Sequence, residues 1–262
     1  MWRVVFPAVF LGAPFMFVPD SSADDRDRFE ARVFEDPSGA KLLYRLLKPK
    51  DYSPSVKYPV VVFLHGAGER GDDNKAQLIH GMSDYASDAL MGKYPCFVLA
   101  PQCPKGKQWV DVPFGSLKHD MPQQPSDALR LTMDAVAALE KEFSIDPDRW
   151  YITGLSMGGY GTWDALQRYP NRFAAAVPIC GGGDTKLASR IIHIPIWAFH
   201  GDKDQAVPTE RSRQMIAALR EAGGMPKYTE YANVGHDSWT ATYKDPAMHE
   251  WMFAQKRSRS DR

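Results

Sequence analysis

The stretch Trp150-Tyr151-Ile152-Thr153-Gly154-Leu155-Ser156-Met157-Gly158-Gly159-Tyr160 decides how the rest of this chain is read. An apolar, β-type run ends in Gly-x-Ser-x-Gly and opens at once into a helix-like segment, the pattern of a sharp strand-to-helix turn that presents a serine. Such a turn leaves no room for Cβ atoms at Gly154 and Gly158 and forces unusual backbone angles on the residue between them. Ser156 is therefore the candidate nucleophile, with its Oγ exposed at the carboxyl edge of a sheet. The pentapeptide alone carries little weight because glycine is common; the strand before it and the helix after it carry the argument.

Strand-like and helix-like segments alternate on both sides of that turn. Upstream, Tyr58-Pro59-Val60-Val61-Val62-Phe63-Leu64-His65 is an uninterrupted apolar run suited to a strand buried on both faces. Similar runs lie at 96–100, 151–155, 174–179 and 194–199, a short one at 228–231 closes the series, and 29–34 and 41–47 read as edge strands. Helical patterns fall at 75–91, 126–143 with Ser126 as N-cap, 159–168, 209–222 before Gly223-Gly224, and 247–256. The alternation predicts an α/β fold, a mostly parallel central sheet with helices on both faces. In such sheets the ligand site lies at the carboxyl ends of the strands.

With 262 residues, 44% of them hydrophobic and 24% charged, the chain fits a single large domain over 24–262. Lys plus Arg equals Asp plus Glu at 32 each, so no long-range field gathers a nucleic-acid backbone, and no nucleic-acid partner is expected. The first 23 residues differ from the rest: Arg3, an apolar run from Val4 to Val18, then Ser21-Ser22-Ala23 before the charged Asp24-Asp25-Arg26-Asp27-Arg28. That is the layout of a secretory signal peptide cleaved after Ala23, and Pro7, Gly12 and Pro14 interrupt it as a membrane span. A secreted or periplasmic protein without stable membrane insertion is expected, an uncleaved anchor being the alternative. There Cys96, Cys103 and Cys180 would permit one disulfide, with Cys103 and Cys180 both following strands, or remain three buried thiols. None stands in CxxC or metal-ligand spacing, and the pair Asp202 and Asp204 has no further ligand-type neighbour, so no metal is expected.

A serine hydroxyl is a weak nucleophile at neutral pH, so Ser156 needs a base within reach and an acid to orient that base. His200-Gly201-Asp202-Lys203-Asp204-Gln205-Ala206-Val207-Pro208 follows one strand, and Asn233-Val234-Gly235-His236-Asp237-Ser238-Trp239 follows the last. The order is nucleophile, acid, histidine, with His236 as base and Asp204 or its rival Asp202 as acid; Asp237, adjacent to the histidine, is poorly placed to fold back onto the ring. N–H donors for a developing oxyanion are expected from Met157, at the start of the helix, and from Ala67, with Gly68 next, in the loop after the 58–65 run.

Together these pieces resemble the α/β-hydrolase superfamily, and within it the secreted carboxylesterase and polyester depolymerase-like group, often labelled predicted peptidases. The matching pieces are Leu64-His65-Gly66-Ala67-Gly68-Glu69-Arg70-Gly71, Pro101-Gln102-Cys103-Pro104, Gly154 to Trp163, His200 to Asp204 with Val207-Pro208, and Gly235-His236. The resemblance implies an α/β-hydrolase fold, no cofactor, Ser156 as nucleophile and His236 as general base then acid. Asp204, just ahead of the Val-Pro that starts the next helix, becomes the carboxylate that holds the imidazole tautomer. Hydrolysis of carboxylic esters through an acyl-enzyme follows, with peptide hydrolysis, as in the related prolyl oligopeptidase group, as the alternative. A binding module with a relic triad is disfavoured because every triad position is filled. Dienelactone hydrolases resemble this group but place Cys where Ser156 stands, which argues against dienelactone chemistry.

Around this constellation, His65 reads as a structural residue of its loop and Glu69-Arg70 as a local ion pair. Trp109 is a candidate wall of the substrate pocket, with buried packing as the alternative, and Trp163 is core. His80, His119, His193 and His249 read as surface or internally satisfied. The irregular stretch 101–125 is too short for a helical lid domain. A shallow, accessible pocket is expected, suited to small-molecule or polymer-borne esters with short or aromatic acyl groups, on polysaccharide or polyester.

Overall fold

The computed structural model describes residues 24–257, so the signal-type segment 1–23 lies outside the described residues. Eight strands, β1 (Glu30–Glu35), β2 (Lys41–Leu47), β3 (Tyr58–Leu64), β4 (Phe97–Pro101), β5 (Ile145–Leu155), β6 (Ala175–Ile179), β7 (Trp197–Gly201) and β8 (Lys227–Tyr231), form one sheet in the order β1-β2-β4-β3-β5-β6-β7-β8. The pairings of β1 with β2 and of β2 with β4 are antiparallel, and all the others are parallel. The helices are α1 (Met82–Ala86), α2 (Asp88–Lys93), α3 (Asp127–Glu142), α4 (Met157–Arg168), α5 (Glu210–Glu221), α6 (Trp239–Lys244) and α7 (Pro246–Phe253). This is the α/β-hydrolase architecture that the sequence predicts.

Every residue of β3 is buried, which is why its sequence reads as a continuous apolar run. The strand's two-residue period divides that run between two cores. Val60, Val62 and Leu64 pack with Trp150, Ile152, Leu129 of α3, Trp163 of α4 and Ile216 of α5. Val61 and Phe63 point the other way, toward Tyr85 of α1, Tyr243 of α6 and Met248 and Met252 of α7. Each such side chain contributes about 1.5–3 kcal/mol by leaving water, so helices are held to both faces without any need for strong intrinsic propensity.

Several elements depart from the sequence reading. The helix expected at 75–91 is broken: Gly81 takes φ 72° and Ser87 turns extended at ψ 144°, its Oγ accepting the Leu90 N–H as the N-cap of α2. β2 is an interior strand, because β1 covers its outer edge. β5 starts at Ile145, and its register against β3 shifts between Tyr58 and Val60, where Pro147 brings no N–H to the ladder. The 3-10 segment Thr185–Ile191 and α6 have no counterpart in the sequence reading. All three cysteines are free and buried, as in the alternative reading of three thiols.

Among the described residues, 102–126 contains no helix or strand, and none of the helices is long and apolar enough to cross a membrane. The segment is strapped to the body by Tyr160 Oη donating to Phe114 O (2.7 Å), Arg211 Nη1 to Leu117 O (2.7 Å) and the Met121 N–H to Asp184 Oδ2 (2.9 Å). His65 pins its start. The Cys103 N–H donates to Nε2 (2.9 Å), so Nδ1 carries the proton and donates to Gly66 O (2.6 Å), while Trp109 Nε1 donates to the carbonyl of His65 (2.9 Å). Burial pushes this imidazole down to about 4, against the raising pull of the Gly66 carbonyl.

Two predictions follow from this packing. A Cβ at Gly158 would lie 1.8 Å from the carbonyl oxygen of Leu64, whereas one at Gly68 would meet nothing within 4 Å. Gly158→Ala is expected to destabilise by more than about 4 kcal/mol, seen as a lowered thermal midpoint or loss of soluble protein, and Gly68→Ala to leave the midpoint nearly unchanged. For His65, the depressed value means that the unfolded chain binds the extra proton first. Stability is then fully present above pH 6.5 and lost as pH falls toward 4, by up to about 3 kcal/mol. His65→Gln should flatten part of that acid limb in urea midpoints measured against pH, with further contributions from His119, also pushed down to about 4 by burial, and from His249, pushed down by burial as well.

Candidate active site

The turn between β5 and α4 places Ser156 at φ 53° and ψ −116°, a conformation that costs a non-glycine residue about 1–3 kcal/mol. The surroundings over-determine it. The Ser156 N–H donates to Ile179 O (3.0 Å) and lies 3.3 Å from Cys180 Sγ, while a Cβ at Gly154 would be 2.4 Å from Gly158 O. With no freedom to relax, the backbone sets where Oγ stands. His236 Nε2 is 2.9 Å from that oxygen, and His236 Nδ1 is 2.7 Å from Asp204 Oδ2. Residues far apart in sequence thus meet at the carboxyl ends of β5, β7 and β8.

Asp204 is held from both sides. Its Oδ1 accepts the N–H groups of Ala206 and Val207 (2.9 Å each), and its Oδ2 faces His200 Nε2 at 3.2 Å as well as His236. Burial opposes the charge, but the donors from His200, His236 and Val207 outweigh it and hold the carboxyl well below the usual carboxylate range. Neither rival carboxylate is hydrogen-bonded to His236. Asp202 Oδ1 is buried without a hydrogen-bond partner, and Asp237 accepts from Thr240 N (3.0 Å) and Thr240 Oγ1 (2.9 Å) at the start of α6. His200 itself is fully buried, with Nδ1 2.8 Å from Ser212 Oγ. Only its place at the end of an apolar run marks it in the sequence.

Met157 is the first residue of α4, and Ala67 is the first of the 3-10 turn Ala67–Glu69; neither turn has a side-chain cap. First-turn N–H groups have no partner inside their own helix, so both are available to an oxyanion. Ala67 lies with Gly66, Gly68, Glu69, His80, Leu155, Ser156, His236 and Trp239 around a cavity of about 290 Å³. Trp239 forms one wall, its ring edge-on to His236 (5.2 Å between centroids) and tilted against His80 (5.4 Å).

Three expectations need correction here. Trp109 is fully buried against His65 and lies outside that lining, since its indole N–H is used on the His65 carbonyl. Glu69 and Arg70 do not pair with each other. Arg70 donates to the carbonyls of Ala67 (2.8 Å) and Lys107 (3.3 Å), and Glu69 Oε1 faces His80 Nε2 at 3.5 Å. His80 therefore belongs to the cavity and is not an isolated surface histidine. No local spacing links it to Glu69 or Trp239, which is why the sequence left it unassigned.

Comparison with known proteins identifies the family. The model of the dienelactone hydrolase family matches residues 115–256, more than half of the chain and including Ser156, Asp204 and His236. The crystal structure of a thermostable esterase superposes with a TM-score of 0.83 at 45% identity, over 89% of this chain and 64% of that one. The carboxylesterase SOBER1 of Arabidopsis thaliana is 26% identical over 188 residues, 67% of this chain and 82% of that protein. An uncharacterized secreted protein of Arthroderma benhamiae is 29% identical over 212 residues, 70% of this chain but only 22% of that protein, so the chain spans about a fifth of that relative's length. By this match and by its sheet, the chain belongs to the dienelactone hydrolase family of α/β-hydrolases.

Proposed function

We propose that this protein hydrolyses carboxylic esters through an acyl-enzyme on Ser156. The observation that carries the reading is the continuous line from Ser156 Oγ to His236 Nε2 (2.9 Å) and from His236 Nδ1 to Asp204 Oδ2 (2.7 Å). In that line Nδ1 bears the proton and Nε2 the lone pair, so His236 takes the serine proton as Oγ attacks the ester carbonyl. Asp204, held as an anion by its donors, stabilises the imidazolium that results and fixes its tautomer. The N–H groups of Met157 and Ala67 receive the oxyanion, each such donor lowering the barrier by about 3 kcal/mol. His236 then protonates the leaving alcohol, and water, activated in the same way, releases the acid.

The names of the Arabidopsis carboxylesterase and the thermostable esterase support ester chemistry for this chain. The nucleophile position holds Ser156, so the family's name does not carry dienelactone chemistry over to it. A cavity of about 290 Å³ walled by Trp239 suits short or aromatic acyl groups, and the absence of helical insertion in 102–126 among the described residues leaves room for an ester carried on a polysaccharide or polyester. Secretion of one catalytic domain from Asp24 onward is part of the proposal, supported by the residue pattern of 1–23 and by the secreted relative.

The test is turnover of p-nitrophenyl acetate, butyrate and octanoate, methyl ferulate and a peptide p-nitroanilide. Ester hydrolysis should exceed anilide hydrolysis, and Ser156→Ala and Asp204→Asn should each lower kcat by about 10⁴-fold or more. Trp239→Ala should lower kcat/KM for methyl ferulate more than for the acetate. Faster cleavage of the anilide would turn the reading to a peptidase, and unchanged turnover in Ser156→Ala would remove Ser156 from the mechanism.

A further inference from the structure

We infer that Cys180, Asp204 and His236 form a binding site for a thiophilic divalent cation such as Zn²⁺ or Cd²⁺, and that an ion bound there switches the hydrolase off. The switching half rests on the function proposed above; the binding half does not.

One sulfur, one carboxylate oxygen and one imidazole nitrogen from these residues all lie within 4.8 Å of one another, the sole such cluster of potential metal-ligating side chains among the described residues. Zinc bonds of about 2.0–2.3 Å place tetrahedral ligands roughly 3.5 Å apart, so closing the triangle requires movements of about 1 Å. His236 is the member free to make them. It stands on the loop after β8 with its side chain 29% exposed, whereas the carboxyl of Asp204 is sealed, and Cys180 is fixed at φ 40° with its N–H bonded to Phe199 O (2.8 Å). The exposed side of His236 is also the entry path.

A sulfur, nitrogen and oxygen donor set selects zinc-like ions over Mg²⁺ or Ca²⁺, which want several oxygens. The charges at the buried site also balance. When the dication binds, the thiol proton leaves to solvent, and thiolate, carboxylate and M²⁺ together make a neutral buried cluster. One proton is released per ion and no electrons move; water fills the fourth position. Either choice of ring nitrogen disarms the base. An ion on Nε2 occupies the lone pair that faces Ser156 Oγ, and an ion on Nδ1 drives the ring proton to Nε2.

The experiment is a Cd²⁺ titration of the full chain, followed by the ultraviolet thiolate-to-cadmium band. One equivalent should bind to the wild type and to the Ser156→Ala, Cys96→Ser and Cys103→Ser variants. The band should vanish in Cys180→Ser, with folding checked by circular dichroism, and affinity should fall at least about tenfold in His236→Gln. A band that persists in Cys180→Ser, or is missing from the wild type, overturns the site; if Cys180→Ser does not fold, unchanged affinity in His236→Gln does so. In parallel, Zn²⁺ should stop p-nitrophenyl acetate turnover and EDTA restore it, and full turnover by the loaded protein would overturn the switch. A protein that binds Cd²⁺ in this pattern but hydrolyses no ester would refute the proposed function and leave the site standing.

Discussion

The first turn of α4 lies so close to the end of β3 that a Cβ at Gly158 would fall 1.8 Å from the Leu64 carbonyl oxygen. This approach, and the matching one between Gly154 and Gly158, is the constraint on which the site depends. It forces the chain through Ser156 in a strained conformation, which lifts Oγ off the sheet edge and brings the free N–H groups at the start of α4 beside it. It also sets the end of β3 against the same turn, so that Ala67 in the next loop lines the same cavity as Ser156. The site's geometry is thus a property of backbone packing between β3, β5 and α4, with the side chains added to it.

Electrostatics completes what packing begins. Asp204 is a sealed carboxylate whose charge is sustained by two backbone N–H groups and two imidazoles, His200 behind it and His236 in front. A buried anion with that many donors has no freedom to turn, and it transmits its orientation to His236. The tight arrangement also places the Cys180 sulfur near both groups, so the machinery that would activate a serine has the donor set of a soft-metal site. The proposed catalytic line and the proposed ion site then share one cause, the crowding of β5, β6, β7 and β8 ends at one edge.

Much of this was legible in the chain. The apolar run of β3, the elbow around Ser156 and the alternation of strands with helices are local signals, carried by residues a few positions apart, and the structure reproduces them. The order of Ser156, Asp204 and His236 along the sequence also placed each on a loop after a strand, where the structure brings them together. The errors share a different character. The helix expected at 75–91 breaks because Gly81 and Ser87 leave helical geometry, β2 is covered by β1, and Trp109 turns inward to His65. Each outcome depends on a partner distant in sequence or on a backbone angle that periodicity does not encode.

The sequence by itself determined the fold class and the identity of the candidate nucleophile, because hydrophobic period and glycine sterics act over a few residues and need no knowledge of the rest. Only the tertiary structure decided which acid faces His236, that Glu69, His80 and Trp239 line the cavity, and that Cys180 stands beside Asp204 and His236. Those juxtapositions join residues separated by tens of positions, and they arise when the parallel strands align their carboxyl ends, a result of burying two apolar faces at once rather than of any local pattern.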